Sequence, residues 1–389
     1  MTPDVLLDLT PLDTTSRYRG IGKYASCLGR AIHSLSPSER HGLEIAALIG
    51  LYGERTVGAL TWPGSPAGVH EGQKLAWTMN RRLRLGGTLR RLSPRLFHAT
   101  EPVGTPRGSR VPRIVTCHDL LNLVLCREYY PGRRIYPHAL RLIEAARHHP
   151  CRRVIAISEY TAGDLMRILR FPAARIDVVP QGVEHDRFRP PATAEEARVA
   201  SARRDALGIG GVPYLVYVGG ADPRKSVGTL ISAFVRAAQP DLDLVLVGRY
   251  CASEEVEVLA AIHAEGNPKS IRRLGFVADE SIPAVLSGAT ALAFPSIYEG
   301  FGLPVLEAMA SGCPVIAVRA TSIGEVAGSA ALYVPPRDSA ALAAAIREIT
   351  TDAALRSDLR SAGLAQAAKY SWRATALGTV DAYARALRA

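Results

Sequence analysis

The sequence predicts an α/β protein with two doubly wound, Rossmann-like domains, each built on a parallel sheet. Short apolar runs alternate with helical patterns along the chain, as in parallel sheets that helices cover on both faces. The alternation restarts after residue 204, and 389 residues with 48% hydrophobic side chains suffice for two cores. Ligands of such sheets bind beyond the carboxyl ends of the strands, so we expect a central cleft between the domains.

The predicted elements define the domain boundaries. The first domain, residues 1–190, has a helix at 23–34 and strands at 5–9, 44–49, 96–99, 114–117, 154–157 and 176–179. Residues 184–204 are rich in Pro, Ala and Glu, and this composition predicts a linker at residues 191–204. The second domain, residues 205–370, has strands at 214–218, 242–247, 271–274, 291–294 and 314–318, with helices that begin near residues 226 and 304.

Composition narrows the classes of partner. The net charge of +11 fits either a solvated arginine-rich surface or attraction to phosphates of a ligand or a membrane. No nucleic-acid-binding motif accompanies the charge, so we expect no nucleic acid partner. The six cysteines form no C-x-x-C pair, and Asp4 and Asp8 interrupt the apolar N-terminal run. These features predict reduced thiols, no signal peptide and a cytoplasmic protein.

The strongest motif follows the predicted strand 291–294. It runs Tyr298-Glu299-Gly300-Phe301-Gly302-Leu303-Pro304-Val305-Leu306-Glu307. The glycines let backbone amides approach a ligand, and the helix start predicted at Pro304 offers free N–H groups to an anion. We expect Glu299 at the loop entrance and Glu307 in the first helical turn, where they would bind hydroxyls on either side of a phosphate. Taken alone, Glu307 would as readily complement the helix dipole.

Two adjacent cations lie between the strand 214–218 and the next helix. The segment reads Gly219-Gly220-Ala221-Asp222-Pro223-Arg224-Lys225-Ser226. Arg224 offers a planar fork to phosphate oxygens and Lys225 a compact charge. Both would neutralise the charge that builds on a departing diphosphate. An exposed Arg-Lys pair that caps a turn is the alternative.

Two weaker signals follow strands of the first domain. Arg19-Gly20-Ile21-Gly22 is a fragment of the G-x-G-x-x-G fingerprint and predicts a flexible loop whose amides face phosphate. Thr116-Cys117-His118-Asp119 ends the strand 114–117. There His118 would bind a sugar hydroxyl, transfer a proton or serve the structure alone.

The sequence offers no convincing metal site. Asp241 and Asp243 have D-x-D spacing but lead into an apolar strand, where a strand cap is expected. His148 and His149 lack carboxylate or thiol partners at ligand spacing. We therefore expect neither a metal nor another bound cofactor.

Together these motifs resemble the retaining, two-Rossmann-domain (GT-B) glycosyltransferases of group 1, which include bacterial mannosyl- and glucosyltransferases. The most specific match is the E-x7-E spacing of Glu299 and Glu307. Further matches are Val179-Pro180-Gln181-Gly182-Val183, Gly219 through Lys225, and Leu274-Gly275-Phe276-Val277. Gln181 departs from the Asn that is usual in the family. The ending from Tyr370-Ser371-Trp372 is similar to the family's final segment, so residues 371–389 would cross back to the first domain.

The resemblance implies a nucleotide sugar as co-substrate and gives each matched residue a role. Glu299 would contact hydroxyls of the sugar and Glu307 the ribose. Arg224 and Lys225 would bind the diphosphate, and His118 would reach the sugar. With Glu299, these two cations and His118 form the expected catalytic group.

The same resemblance assigns contacts to the backbone of the donor loops. Phe276 and Val277 would contact the base. The remaining donor-binding positions would be Gly20, Gly22, Gly219, Gly220, Gly300, Phe301, Gly302 and Leu303. The donor bond would loosen toward an oxocarbenium-like state while the cations stabilise the diphosphate. The acceptor would attack the same face and give its proton to that phosphate, and no metal would be required.

The resemblance places a glycan, lipid-linked or small-molecule acceptor in the first domain. There the basic stretch 80–95 carries Leu83, Leu85, Leu89 and Leu92 in a partly amphipathic pattern that Gly86-Gly87 interrupts. Such a helix would bind peripherally to the inner face of an anionic membrane. A solvated basic face is the alternative.

Three functions fit these observations. The first is transfer from GDP-mannose, narrowly preferred over a UDP-sugar because the segments 18–22 and 219–225 look most like bacterial mannosyltransferases. The second is a nucleotide-sugar epimerase on the same fold, against which the Glu299–Glu307 motif argues. The third is a non-catalytic, transferase-like subunit that needs a partner, against which the retained charges argue.

Overall fold

The computed structural model describes residues 2–49, 56–59, 85–103, 109–133, 135–266 and 268–389. The chain forms two compact units. One comprises Met1–Gly182 together with Ser371–Ala389, and the other comprises Val183–Tyr370.

The first unit contains a seven-stranded sheet. Its strands are β1 (Val5–Asp8), β2 (Ile45–Ile49), β3 (Thr56–Ala59), β4 (Leu96–Ala99), β5 (Arg113–Cys117), β6 (Arg153–Ala156) and β7 (Ile176–Val178). Their order is β3-β2-β1-β4-β5-β6-β7. All neighbours are parallel except β3, which pairs antiparallel with β2 at one edge. The helices are α1 (Gly20–Ser34), α2 (residues 85–92), α3 (Leu121–Val124), α4 (Cys126–Tyr129), α5 (Tyr136–His148) and α6 (Glu159–Leu169).

The second unit contains a six-stranded, fully parallel sheet. Its strands are β8 (Tyr214–Val218), β9 (Asp243–Val247), β10 (Ile271–Gly275), β11 (Ala291–Phe294), β12 (Val315–Val318) and β13 (Leu332–Val334). The order β10-β9-β8-β11-β12-β13 is that of a doubly wound sheet, and it reverses direction between β8 and β11. The helices are α7 (Ala194–Ala206), α8 (Val227–Ala237), α9 (Ala252–Ala264), α10 (Ile282–Gly288), α11 (Leu303–Ala310), α12 (Ser322–Ala327), α13 (Ser339–Thr351) and α14 (Ala353–Ala367).

The final helix, α15 (Trp372–Arg388), packs on α1 within the first unit. Its Tyr383 hydroxyl lies 2.7 Å from His98 Nδ1 in β4. His98 Nε2 lies 2.8 Å from the Thr116 hydroxyl in β5, which is 2.9 Å from the Tyr24 hydroxyl of α1. All four side chains are buried, so this hydrogen-bonded chain joins two helices to two strands through the core.

Two predictions of secondary structure are wrong. Most of the expected linker, residues 191–204, belongs to α7, which begins at Ala194 and packs on α10 inside the second unit. The Thr193 hydroxyl caps it by accepting from Glu196 N–H at 3.2 Å. The Ala- and Glu-rich composition of this segment favours a helix. The short strands β3 and β13 were not predicted, because Thr56 and Gly58 interrupt the apolar pattern of the first and the second has only three residues.

For the described part of the basic stretch, the prediction that its leucine face binds a membrane is also wrong. Leu85 and Leu89 are 1% exposed and belong to the core of the first unit, and Leu92 packs against the same cluster. The paired glycines do not interrupt α2. Residues 80–84 lie outside the described ranges. Across the described residues, no helix combines the length and apolarity that a membrane span requires.

Two buried histidines predict a loss of stability in mild acid. Burial lowers the pKa of His98 to about 3 and that of His148, the last residue of α5, to about 4. In the unfolded chain both titrate near pH ~6.5. As the pH falls below that value, the unfolded state takes up protons that the folded state refuses. The free energy of unfolding should then drop by up to about 1.4 kcal/mol per pH unit for each histidine.

Urea unfolding at pH 7, 6 and 5 measures this slope. The variant His148→Asn should show a shallower pH dependence than the wild type. His33→Asn changes an exposed histidine of α1 and should leave the slope as it is. The expectation would be contradicted if the unfolding free energy of His148→Asn changed with pH as steeply as that of the wild type.

Candidate functional site

The two strongest motifs meet at the carboxyl ends of β8 and β11, where the strand order of the second sheet reverses. These strands are hydrogen-bonded neighbours, and each leads directly into one motif. The loops are joined as well, because Ile297 N–H donates to the Arg224 carbonyl at 2.9 Å. Ligands of doubly wound sheets bind at this point of reversal.

A buried ion cluster fills the junction. Glu299 Oε2 lies 2.7 Å from Arg224 Nη1, and Glu299 Oε1 lies 2.5 Å from Lys225 Nζ. The Ser296 hydroxyl donates to Oε1 at 2.7 Å, and Arg224 Nη1 also donates to the Tyr298 carbonyl at 2.6 Å. The side chains of the three charged residues are 10–16% exposed. The cluster therefore fixes two cations at the edge of the sheet.

The carboxylate of the cluster stays ionised at neutral pH. Burial raises the pKa of Glu299, but the charges of Lys225 and Arg224 outweigh it and lower that pKa to about 2. Burial lowers the pKa of Lys225, and the adjacent carboxylate opposes the shift. A second carboxylate, Asp222, lies 3.6 Å from Arg224 Nε and is 32% exposed. A phosphate that reaches this edge would meet cations already held in place.

The helix α11 begins beside this cluster. Its N-cap, Gly302, has φ +107°, and a Cβ there would lie 2.4 Å from Ile323 Cδ1, so only glycine fits. The cap supplies no side-chain acceptor, and Pro304 lies in the first turn. The first amides are thus placed for an anion. Glu307, 6% exposed, is the fifth residue of α11 and lies in the second turn. The first-turn prediction is wrong because the helix begins one residue before Pro304.

The other predicted donor positions of this unit lie at the same edge of the sheet. Gly219 and Gly220 follow β8, and Phe276 and Val277 follow β10. Val277 is buried, whereas Phe276 is 61% exposed. The buried positions Phe301 and Leu303 contribute side chains to packing; the ring of Phe301 meets Tyr370 edge-on, with centroids 5.8 Å apart.

The first unit carries a second group of predicted residues. His118 follows β5, and its Nε2 lies 2.8 Å from the Thr100 carbonyl. Because a carbonyl only accepts, Nε2 carries the proton and Nδ1 of the neutral ring is an acceptor. The ring packs edge-on against Tyr24, with centroids 4.9 Å apart. Burial lowers the pKa of His118, against the opposing effects of Thr100 and Asp119, so the neutral form dominates near pH 7.

The expected flexible loop at Gly20 and Gly22 is helical instead. α1 begins at Gly20, and its N-cap, Arg19, makes no side-chain cap. A Cβ on Gly22 would lie 2.4 Å from Arg17 Cα and from the Ser16 carbonyl oxygen. Glycine is required there because a tight turn packs on the helix. The amides at this position are those of a helix start, which favours an anion more than a loose loop does.

Three of the four residues considered as metal ligands, Asp243, His148 and His149, have other partners. Asp243 is the first residue of β9 and accepts from Arg272 Nε at 2.6 Å. His148 Nδ1 lies 2.8 Å from the Glu144 carbonyl, and His149 Nε2 lies 3.0 Å from the Leu169 carbonyl. Among the described residues, His, Cys, Asp and Glu side chains form no group of three suited to a metal.

Three polar contacts of the cluster were not predicted. Ser296 belongs to the motif loop itself. Thr321 Oγ1 accepts from Glu299 N–H at 3.0 Å, and Ser322 Oγ donates to the Glu299 carbonyl at 2.8 Å. The last two follow β12, so the strand-end rule that identified Arg224 could have identified them.

Sequence comparisons agree on one class of enzyme. The family model for glycosyl transferases group 1 matches residues 201–366, and that for Glycosyltransferase Family 4 matches residues 50–187. O-antigen chain mannosyltransferase B of Escherichia coli is 32% identical over 284 residues, 70% of this chain and 71% of that protein. D-inositol 3-phosphate glycosyltransferase of Salinispora arenicola is 29% identical over 72% of this chain and 64% of its own. MMP alpha-(1->4)-mannosyltransferase of Mycolicibacterium hassiacum is 30% identical over 60% and 54%.

Solved structures share the fold at low sequence identity. Sucrose-phosphate synthase of Thermosynechococcus elongatus has a TM-score of 0.77, 21% identity and 98% coverage of both chains. WaaG, a glycosyltransferase involved in lipopolysaccharide biosynthesis, has a TM-score of 0.72, 15% identity and coverage of 97% and 98%. The predicted fold class is confirmed: the protein is a glycosyltransferase with the two-domain α/β GT-B fold. It belongs to the glycosyl transferases group 1 family.

The ion cluster predicts a large cost for removing its carboxylate. Glu299→Gln would remove the carboxylate that pairs with both largely buried cations and leave Arg224 only Asp222 at 3.6 Å. It should lower the free energy of unfolding by about 3 kcal/mol. Adding Lys225→Met should recover part of that loss, since one cation is then gone.

Urea unfolding of the two single variants and the double variant measures the coupling. Glu195→Gln is the matched control, because Glu195 pairs with Arg198 in solvent, with side chains 64% and 75% exposed. It should have little effect. Purely additive losses in the double variant would show that the cluster does not act as a unit.

Proposed function

We propose that the protein is a retaining, metal-independent hexosyltransferase that uses a nucleotide-sugar donor. GDP-mannose is narrowly preferred over a UDP-sugar, and the acceptor is a glycan, a lipid-linked sugar or a small molecule. The observation that carries the proposal is the cluster of Arg224, Lys225 and Glu299 beside the start of α11. The reaction would take place in the cytoplasm, in keeping with six cysteines that lie outside any disulfide among the described residues.

In this proposal the cations hold the diphosphate and stabilise it as it leaves. Arg224 presents a guanidinium fork, Lys225 a point charge, and the N-terminus of α11 a partial positive charge. The groups are oriented before the donor binds, so little reorganisation accompanies charge development. When the bond between the sugar and the diphosphate breaks, its electron pair stays on the diphosphate. The two cations and the N-terminus of α11 stabilise the negative charge that results.

Glu299 would bind the sugar while it holds the cations. A carboxylate offers about four lone-pair sites, and contacts with Arg224, Lys225 and Ser296 use three of them. One remains for a donor hydroxyl. Because the carboxylate is committed to two cations, we assign it to binding and not to covalent attack. Glu307, one turn further along α11, would bind the ribose.

Retention would follow from attack on the face that the diphosphate leaves. The acceptor hydroxyl would give its proton to the departing phosphate as the new bond forms. His118 would contribute Nδ1 as an acceptor for a sugar hydroxyl, since Nε2 is held by the Thr100 carbonyl. This assignment requires a neutral imidazole, which the lowered pKa of His118 supports.

The names of the relatives support mannose as the transferred sugar without deciding it. Two of the relatives described above are named mannosyltransferases. By contrast, Anabaena HepE, which shares the fold at 17% identity and a TM-score of 0.73, was solved with UDP and glucose. Donors that carry GDP and donors that carry UDP are therefore both included in the first experiment.

A donor screen tests the proposal. Purified protein with EDTA is incubated with GDP-mannose, UDP-glucose or UDP-GlcNAc, and nucleotide release and thermal stability are followed. One donor at 100 times its Kd should stabilise the fold by about 2.7 kcal/mol. Glu307→Ala and Arg224→Ala should lose both effects. If no nucleotide or nucleotide sugar binds, the proposed function is wrong.

The stereochemical proposal has its own test. With the identified donor and an acceptor, the product should keep the anomeric configuration of the donor sugar. NMR of the freshly formed product reads this from the one-bond C1–H1 coupling constant, because the H1–H2 coupling of mannose is small in both anomers. The opposite anomer would rule out same-face attack while leaving the donor assignment intact.

A further inference from the structure

The turn between β12 and α12 has an unusual backbone. Thr321, the N-cap of α12, has φ 54° and ψ −141°. This region is almost restricted to glycine, because a Cβ collides with the neighbouring peptide groups, and a β-branched side chain fits it worst. Such strain persists only where the surrounding structure holds it in place, and it concentrates at functional sites.

Three consecutive residues of this turn grip the loop that carries Glu299. Thr321 Oγ1 accepts from Glu299 N–H at 3.0 Å. Ser322 Oγ donates to the Glu299 carbonyl at 2.8 Å and lies 2.9 Å from the Phe301 carbonyl oxygen. Ile323 Cδ1 occupies the space where a Cβ of Gly302 would be. We call residues 321–323 the clamp.

The clamp holds the Glu299 backbone on both sides. The N–H is held by Thr321 and the carbonyl by Ser322, so the peptide planes before and after the residue are both fixed. Ser322 and Ile323 are fully buried, and water cannot replace their contacts. The position of the Glu299 carboxylate between Arg224 and Lys225 thus depends on the β12–α12 turn. None of the contacts described above joins this turn to either cation.

We infer that Thr321 and Ser322 are positioning residues that aim Glu299 at the transferred sugar. In this account the strained backbone of Thr321 is retained because it directs the hydroxyl at Glu299 N–H. The inference rests on the proposed role of Glu299 as a sugar-binding group. It adds the β12–α12 turn to the determinants of transfer.

Thr321→Gly separates positioning from stability. Glycine relieves the strain, which offsets the lost hydrogen bond, so the melting temperature should stay at or above that of the wild type. The acceptor for Glu299 N–H is gone, so kcat with GDP-mannose, or with whichever donor the screen identifies, should fall about 10- to 100-fold. The Kd for the free nucleoside diphosphate, GDP or UDP, should stay within about twofold because the cations remain. Thr321→Ser keeps the hydroxyl and should restore most of kcat.

Two further variants control the test. Ala238, at the C-cap of α8, also has a left-handed backbone, with φ 52°, and contacts no part of the loop among its described interactions. Ala238→Gly should raise the melting temperature and leave kcat unchanged. Ser322→Ala removes the second clamp hydroxyl and should reduce kcat as Thr321→Gly does, again with nucleotide affinity retained.

Glu299→Gln distinguishes failure of the clamp from failure of the proposed function. If Glu299→Gln keeps full turnover, Glu299 does not bind the sugar and the proposed function of this residue fails. If it loses turnover while Thr321→Gly and Ser322→Ala keep theirs, the clamp inference is overturned. A parallel loss of kcat, nucleotide affinity and melting temperature in both clamp variants would also overturn it, since that is the result of a structural role alone.

Discussion

The Glu299 carboxylate between Arg224 and Lys225 is the interaction on which the functional edge of the second unit depends. It joins the loop after β8 to the loop after β11 across the reversal of strand order. Burying two adjacent cations without it would be unfavourable, because each would lose its hydration and repel the other. With it, two cations are held in place beside the start of α11.

In the first unit, buried polar side chains are joined by hydrogen bonds between neutral groups. Its buried chain from Tyr383 through His98 and Thr116 to Tyr24 contains no net charge, because burial keeps the imidazole neutral. The Tyr24 ring then meets His118 edge-on. Hydrogen bonds and packing therefore set the orientation of His118, whereas ion pairs hold the Glu299 carboxylate, whose backbone the clamp fixes.

The alternation of apolar runs with helical patterns predicted both sheets. Strand-end reasoning placed Arg224 and Glu299 at the carboxyl ends of strands, where connectivity in doubly wound sheets determines which loops are neighbours. It failed where contacts distant in sequence decide the outcome. Gly22 is glycine because a turn packs on α1, and Leu85 is buried because α2 lies on the core. The position of Thr321 after β12 could be read from the sequence, but its strained dihedral angle could not, since residue type does not reveal it.

The final helix, α15, belongs to the first unit, so the second unit is inserted within the sequence of the first. Residues 183–370 enter and leave the first unit at neighbouring positions, and a Cβ on Gly182 would lie 2.1 Å from Trp372 N. The second unit is thus encoded by one uninterrupted stretch of gene, flanked by a single tight junction. Recombination between relatives could exchange this stretch in one piece and leave the first unit unchanged.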